Sequence, residues 1–179
     1  MQIQTVGIIG AGTMGNGIAQ ACATSGINVV MVDISEAAVQ KGLATVAGSL
    51  DRLIKKEKIS ATDKEAALAK IKVSTDYSAL KAAQLVIEAA TENEALKIKI
   101  LQEVDALVGP EVLIASNTSS ISITKLAAVT GRADKFIGMH FFNPVPMMAL
   151  VEVIRGLQTS DATHAAVQAL AQQLGKTPI

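Results

Sequence analysis

Short apolar runs alternate with amphipathic stretches along almost the whole chain. Thr5 to Ile9, Asn28 to Val32, Ile71 to Thr75, Leu85 to Glu88 and Val112 to Ala115 have the length and composition of buried strands. Between them the period changes. From about Thr13 to Ser25, Met14, Ile18, Ala21 and Cys22 fall on one helical face. From Glu94 to Val108, Leu96, Ile100, Val104 and Leu107 do the same, and Gly109-Pro110 stops that helix. Ser35 is the expected N-cap of a helix running to about Lys56. Ser60 with Asp63, and Thr62 with Glu65, offer two overlapping capping boxes for a helix ending near Lys70. A short helix is expected over Ile123 to Val129, and strands over Phe136 to His140 and Val151 to Ile154, separated by the turn Asn143-Pro144-Val145-Pro146. A final helix runs from about Ala162 to Leu174 and ends at Gly175. This alternation predicts an α/β fold with a doubly wound, mostly parallel sheet and helices on both faces.

The first strand–helix junction narrows the reading. Gly10, Gly12 and Gly15 form a G-x-G-x-x-G pattern between strand and helix, and Asp33 ends the second strand eighteen positions after Gly15. Glycines alone would be a weak signal, and an incidental Asp after a glycine-rich turn is the alternative. In this setting each has work to do. Gly10 permits the tight turn, Gly12 lets the backbone approach a pyrophosphate, and Gly15 allows the helix to pack tightly against the sheet. Unpaired N–H groups and the helix dipole favour the phosphates. Asp33 accepts hydrogen bonds from the adenosine ribose, making the fold Rossmann-type. A 2′-phosphate there would meet a like charge, costing ~1–4 kcal/mol at ~4 Å. No Lys or Arg follows Asp33 until Lys41. NAD is expected rather than NADP.

Composition changes this picture little. At 179 residues the chain suits one sizeable core. Its formal net charge is zero with scattered cations, which argues against a nucleic-acid partner. The single Cys22 excludes an internal disulfide and fits a reducing compartment. Asp33 is the first charged residue, but glycines, Asn16, Gln20 and Asn28 break up the preceding stretch. No membrane span or secretory signal is expected, and the localisation expected is cytoplasmic. No Cys/His grouping has metal-ligand spacing.

Ligands of open parallel sheets sit beyond the carboxyl ends of the strands. Glu88 to Asn93, Ser116 to Ser120, His140 to Asn143 and Glu152 fall there. A histidine among Phe141 and Phe142 could be structural; its place at a strand end, with Asn143 three residues on, points to catalysis. Gly10-Ala11-Gly12-Thr13-Met14-Gly15, Ser116-Asn117-Thr118-Ser119-Ser120 and His140-Phe141-Phe142-Asn143-Pro144-Val145-Pro146 resemble the motifs of the L-3-hydroxyacyl-CoA dehydrogenase family, nearest to its bacterial 3-hydroxybutyryl-CoA branch. The resemblance spans the whole chain.

It implies NAD-linked interconversion of an L-3-hydroxyacyl-CoA thioester and its 3-ketoacyl-CoA. His140 matches the catalytic base and Glu152 its acidic partner. Ser119 and Asn143 match positions holding substrate and nicotinamide. Thr13, Met14, Glu92 and Lys97 match the cofactor pocket, and Ser49 and Lys56 match coenzyme A contacts. A neutral imidazole suits removal of the C3 hydroxyl proton near neutral pH. Residues 1–179 read as the NAD-binding domain; a helical C-terminal domain is expected in a longer parent, completing the acyl pocket and forming a homodimer. Without it, little or no turnover is expected. The alternatives are a dehydrogenase of a free hydroxy acid, a noncatalytic NAD-binding module, and a larger multifunctional β-oxidation protein.

Overall fold

The computed structural model describes residues 2–179; Met1 lies outside the described residues. The apolar runs form one sheet: β1 (Thr5–Ile9), β2 (Asn28–Val32), β3 (Ile71–Ser74), β4 (Leu85–Glu88), β5 (Leu113–Ser116), β6 (Phe136–Phe141), β7 (Leu150–Arg155) and β8 (Thr177–Pro178). The strand order is β3-β2-β1-β4-β5-β6-β7-β8. From β3 to β6 every pairing is parallel, β7 runs antiparallel to β6, and β8 is parallel to β7. The expected doubly wound sheet is present. Its order reverses at β1, which lies between β2 and β4, and a ligand crevice belongs at that point.

Among the described residues six α-helices cover the sheet: α1 (Thr13–Thr24), α2 (Glu36–Lys55), α3 (Ala61–Ala69), α4 (Glu94–Leu107), α5 (Ile123–Ala128) and α6 (Asp161–Gln173). Strand alternation sends side chains to opposite faces. Val6 and Ile8 of β1 join a core with Ile18 of α1, Val46 of α2 and Val167 of α6. Ile9 enters a second core with Leu101 of α4 and Leu126 of α5. Both faces are buried, so the strands read as continuous apolar runs.

Local chemistry sets most boundaries. Ser35 caps α2 by accepting from the Ala38 N–H at 3.1 Å. Ser60 and Asp63 form the reciprocal capping box of α3. The second expected box does not form, because α3 starts at Ala61 and Thr62 already lies inside it. The 3₁₀ segment Tyr77–Ala82, started by Asp76, was not legible as periodicity; six residues are too few to show a face. β5 begins one residue later than expected and ends at Ser116, putting that hydroxyl at the strand's carboxyl edge. No described helix is long and apolar enough to cross a membrane.

Candidate active site

The turn from β1 into α1 needs two of its glycines for its own geometry. Gly10 has φ +110°, and a Cβ there would lie 2.7 Å from the Ala89 carbonyl oxygen. A Cβ on Gly15 would collide with the Gly10 carbonyl oxygen. Gly15 therefore lets helix α1 close onto the turn itself, a correction to the expectation of packing on the sheet. Gly12 differs, since a Cβ there would meet no protein atom. Its bareness leaves backbone open to a ligand, and that space fits a pyrophosphate.

Not all the donors expected for phosphates are free. The Gly10 N–H donates to the Val32 carbonyl and the Ala11 N–H to Asp33 Oδ2 at 2.8 Å. The remaining donors are the first N–H groups of α1, which have no partner within the helix. Asp33 Oδ1 accepts from the Ile34 N–H at 2.7 Å. Pinned to the turn and to the backbone N–H that follows it, the carboxylate is fixed where a ribose would meet it. A groove of about 360 Å³ runs from Asp33 past Gly12, Thr13 and Met14 to Glu92, Lys97 and Asn117.

The far end of that groove rests on a buried ionic network. Glu88 ends β4 fully buried, and Lys97 of α4 is only 1% exposed. The Lys97 ammonium donates to Glu88 Oε1, which also accepts from the Ser116 hydroxyl at 2.9 Å. Glu88 Oε2 accepts from the Ala90 N–H at 2.8 Å. Lys97 thus lines the groove but spends its charge on Glu88, which the sequence marked only as a polar strand end. Glu92 Oε2 accepts from the hydroxyls of Thr118 at 3.0 Å and Ser120 at 2.9 Å. Ser119 lies exposed between these two tethered residues.

His140 and Glu152 face each other across the β6–β7 ladder. His140 Nδ1 lies 2.9 Å from Glu152 Oε1, with the histidine side chain 16% exposed and the carboxylate 43%. Phe142 tilts against the imidazole at 4.7 Å between ring centres. β5 pairs with β6 only as far as Ser116 opposite Gly138, so His140 extends beyond it at the carboxyl edge. Asn117, which the sequence placed in the polar run Ser116 to Ser120 without a role of its own, accepts from the Phe141 N–H at 2.8 Å and lines the groove. It ties the histidine strand to the cofactor side.

Ser49, Lys56 and Asn143 meet in a second cleft of about 520 Å³. Arg52 and Lys58 join Lys56 there, and Met147 forms part of the wall. Arg52 was missed because one turn of an amphipathic helix gives no reason to prefer it over other surface cations. Thr13 borders both cavities, so they meet at the start of α1. The cis Asn143–Pro144 peptide begins the turn that closes this cleft.

Parallel topology, a glycine turn at the reversal point and a pinned acid after β2 together define a dinucleotide-binding domain of the Rossmann class. The family model described as 3-hydroxyacyl-CoA dehydrogenase, NAD binding domain, matches residues 5–179. The chain belongs to that family, and its cofactor is NAD. It is 48% identical over 174 residues to a 3-hydroxybutyryl-CoA dehydrogenase of Bradyrhizobium diazoefficiens, covering 97% of this chain and 59% of that protein. A probable 3-hydroxybutyryl-CoA dehydrogenase of Deinococcus radiodurans is 47% identical over 173 residues, 97% of this chain and 62% of the relative. The crystal structure of (S)-3-hydroxybutyryl-CoA dehydrogenase from Ralstonia eutropha superposes with a TM-score of 0.99 at 76% identity, over 99% of this chain and 63% of that one. The chain thus spans about three fifths of these relatives.

Proposed function

We propose that this chain is the NAD-binding part of an enzyme that interconverts an L-3-hydroxyacyl-CoA and its 3-ketoacyl-CoA, with 3-hydroxybutyryl-CoA as substrate. The observation that carries the reading is the 2.9 Å His140 Nδ1 to Glu152 Oε1 contact at the carboxyl edge of the sheet. Glu152 accepts a hydrogen bond from the Nδ1–H of the neutral ring, which leaves Nε2 with a lone pair to take the C3 hydroxyl proton as the substrate is oxidised. The imidazolium so formed is stabilised by the same carboxylate. Bound NAD supplies the hydride acceptor. Ser119 donates a hydrogen bond to the reacting oxygen, and Asn143, in the wall of the second cleft, orients the substrate.

Ser49 and Lys56 take the coenzyme A moiety in the second cleft, whose cations suit its phosphates. The remaining two fifths or so of the parent form a helical C-terminal domain that completes the acyl pocket and the homodimer. The chain covers 59% and 62% of two relatives, which supports a further part of the parent. The test follows NADH consumption with acetoacetyl-CoA and longer 3-ketoacyl-CoAs by the complete enzyme. Turnover with a thioester and none with the corresponding free acid is expected. Consumption with the free acid alone would contradict the coenzyme A assignment.

A further inference from the structure

The dinucleotide groove is lined by three charged side chains: Asp33, Glu92 and Lys97. They do not act equally along its length. Asp33, at the end of β2, takes the adenosine ribose in this fold, so the nicotinamide half lies towards the loops after β4 and β5. At that end the charge of Lys97 is matched by the buried Glu88 carboxylate. Glu88, Lys97 and Glu92 together carry one net negative charge, and it is exposed to the groove at Glu92. The Glu92 side chain is 54% exposed, and its Oε1 makes a 3.9 Å ion pair with an ammonium already held by Glu88.

We propose that Glu92 sets the groove's preference between the two redox forms of its cofactor, favouring the oxidised form, whose nicotinamide ring is cationic. Adenine, riboses and phosphates are common to both forms, so their contacts cancel in the ratio of affinities. What differs most is one positive charge on the ring. The Thr118 and Ser120 hydroxyls, which both donate to Oε2, hold the carboxylate in place. A unit charge ~8 Å from another changes a charged-over-neutral preference ~2-fold at the dielectric of water and ~30-fold at an effective value of ~20. The inference rests on NAD as cofactor and is independent of the acyl-CoA reading.

The test compares dissociation constants for NAD⁺ and NADH, measured by calorimetry on this chain. Glu92→Gln keeps an oxygen for Thr118 and Ser120 and removes the charge. The ratio Kd(NAD⁺)/Kd(NADH) is expected to rise ~3- to 10-fold at low salt. Glu92→Asp, which keeps the charge, and Thr118→Val, which removes one tether, should each stay within ~2-fold of the wild-type ratio. An unchanged or opposite ratio in Glu92→Gln overturns the inference. So does an equal shift in Thr118→Val, which would place the cause in the loop's shape. A wild-type chain that binds neither form overturns the cofactor assignment and this inference with it.

Discussion

Gly12 and Gly15 stand three residues apart and answer to different demands. Gly15 makes room for the Gly10 carbonyl, whereas Gly12 makes room for nothing in the protein. Gly15→Ala should therefore destabilise the fold, by ~1–3 kcal/mol or more for an overpacked site, while Gly12→Ala leaves stability within ~0.5 kcal/mol and weakens NAD binding. Thermal melts with and without NAD separate the two effects; equal melting losses would remove the ligand argument for Gly12. Cys22 gives a second prediction. Burial raises its thiol from the ordinary 9.0 to about 12. The unfolded chain thus loses this proton first, and stability declines as pH rises from 9.0 towards 12, by up to ~1.4 kcal/mol per pH unit from this group. Denaturant titrations should show that part of the slope vanish in Cys22→Ala. At this scale the glycine turn made Asp33 legible, whereas His140 and Glu152 were paired only through the family resemblance. Glu152 lies within β7, antiparallel to β6, and not at the end of a parallel strand. The sequence concealed Glu88 with Lys97: a lysine on an amphipathic helix looks solvated until the fold brings a buried acid against it.

The elements were legible in proportion to their patterns. Buried parallel strands announce themselves as apolar runs, and Ser35 and Ser60 announce their helices through caps. What fixes the far end of α4 was hidden. Arg132, 7% exposed, donates from Nε to Asp105 Oδ1 at 2.6 Å. Its Nη1 donates to the carbonyls of Gly109 and Val112 at 2.6 and 2.8 Å, and its Nη2 to those of Asp105 and Val108 at 3.0 and 3.2 Å. One guanidinium thus satisfies the carbonyls with which α4 passes into β5, a cation at the negative end of the helix dipole. No local motif encodes an arginine that reaches back twenty residues or more. Arg132→Met should strand those acceptors and the Asp105 carboxylate, costing ~3 kcal/mol and lowering Tm by ~6–12 °C. A Tm change under ~2 °C would mean that α4 is anchored otherwise.

Across the molecule, the sheet joins two chemistries. The glycine turn sits after β1, and the His140–Glu152 pair lies three strands away at the β6–β7 edge, a separation of ~14 Å at usual strand spacing. A dinucleotide laid from Asp33 across the reversal point has the length to bring its far end to that edge. Asn117, bonded to the β6 backbone and lining the groove, marks where the two regions meet. On the proposed function, cofactor affinity would belong to β1, β2 and β4, and proton transfer to β6 and β7. The most direct test is His140→Gln in the complete enzyme, with thioester turnover and the NAD dissociation constant measured on the same preparation. A base acting on substrate requires turnover to fall ~10²- to 10⁴-fold while NAD affinity stays within ~2-fold. Retained turnover, or turnover and NAD binding lost together, would show the imidazole to be a structural part of the sheet.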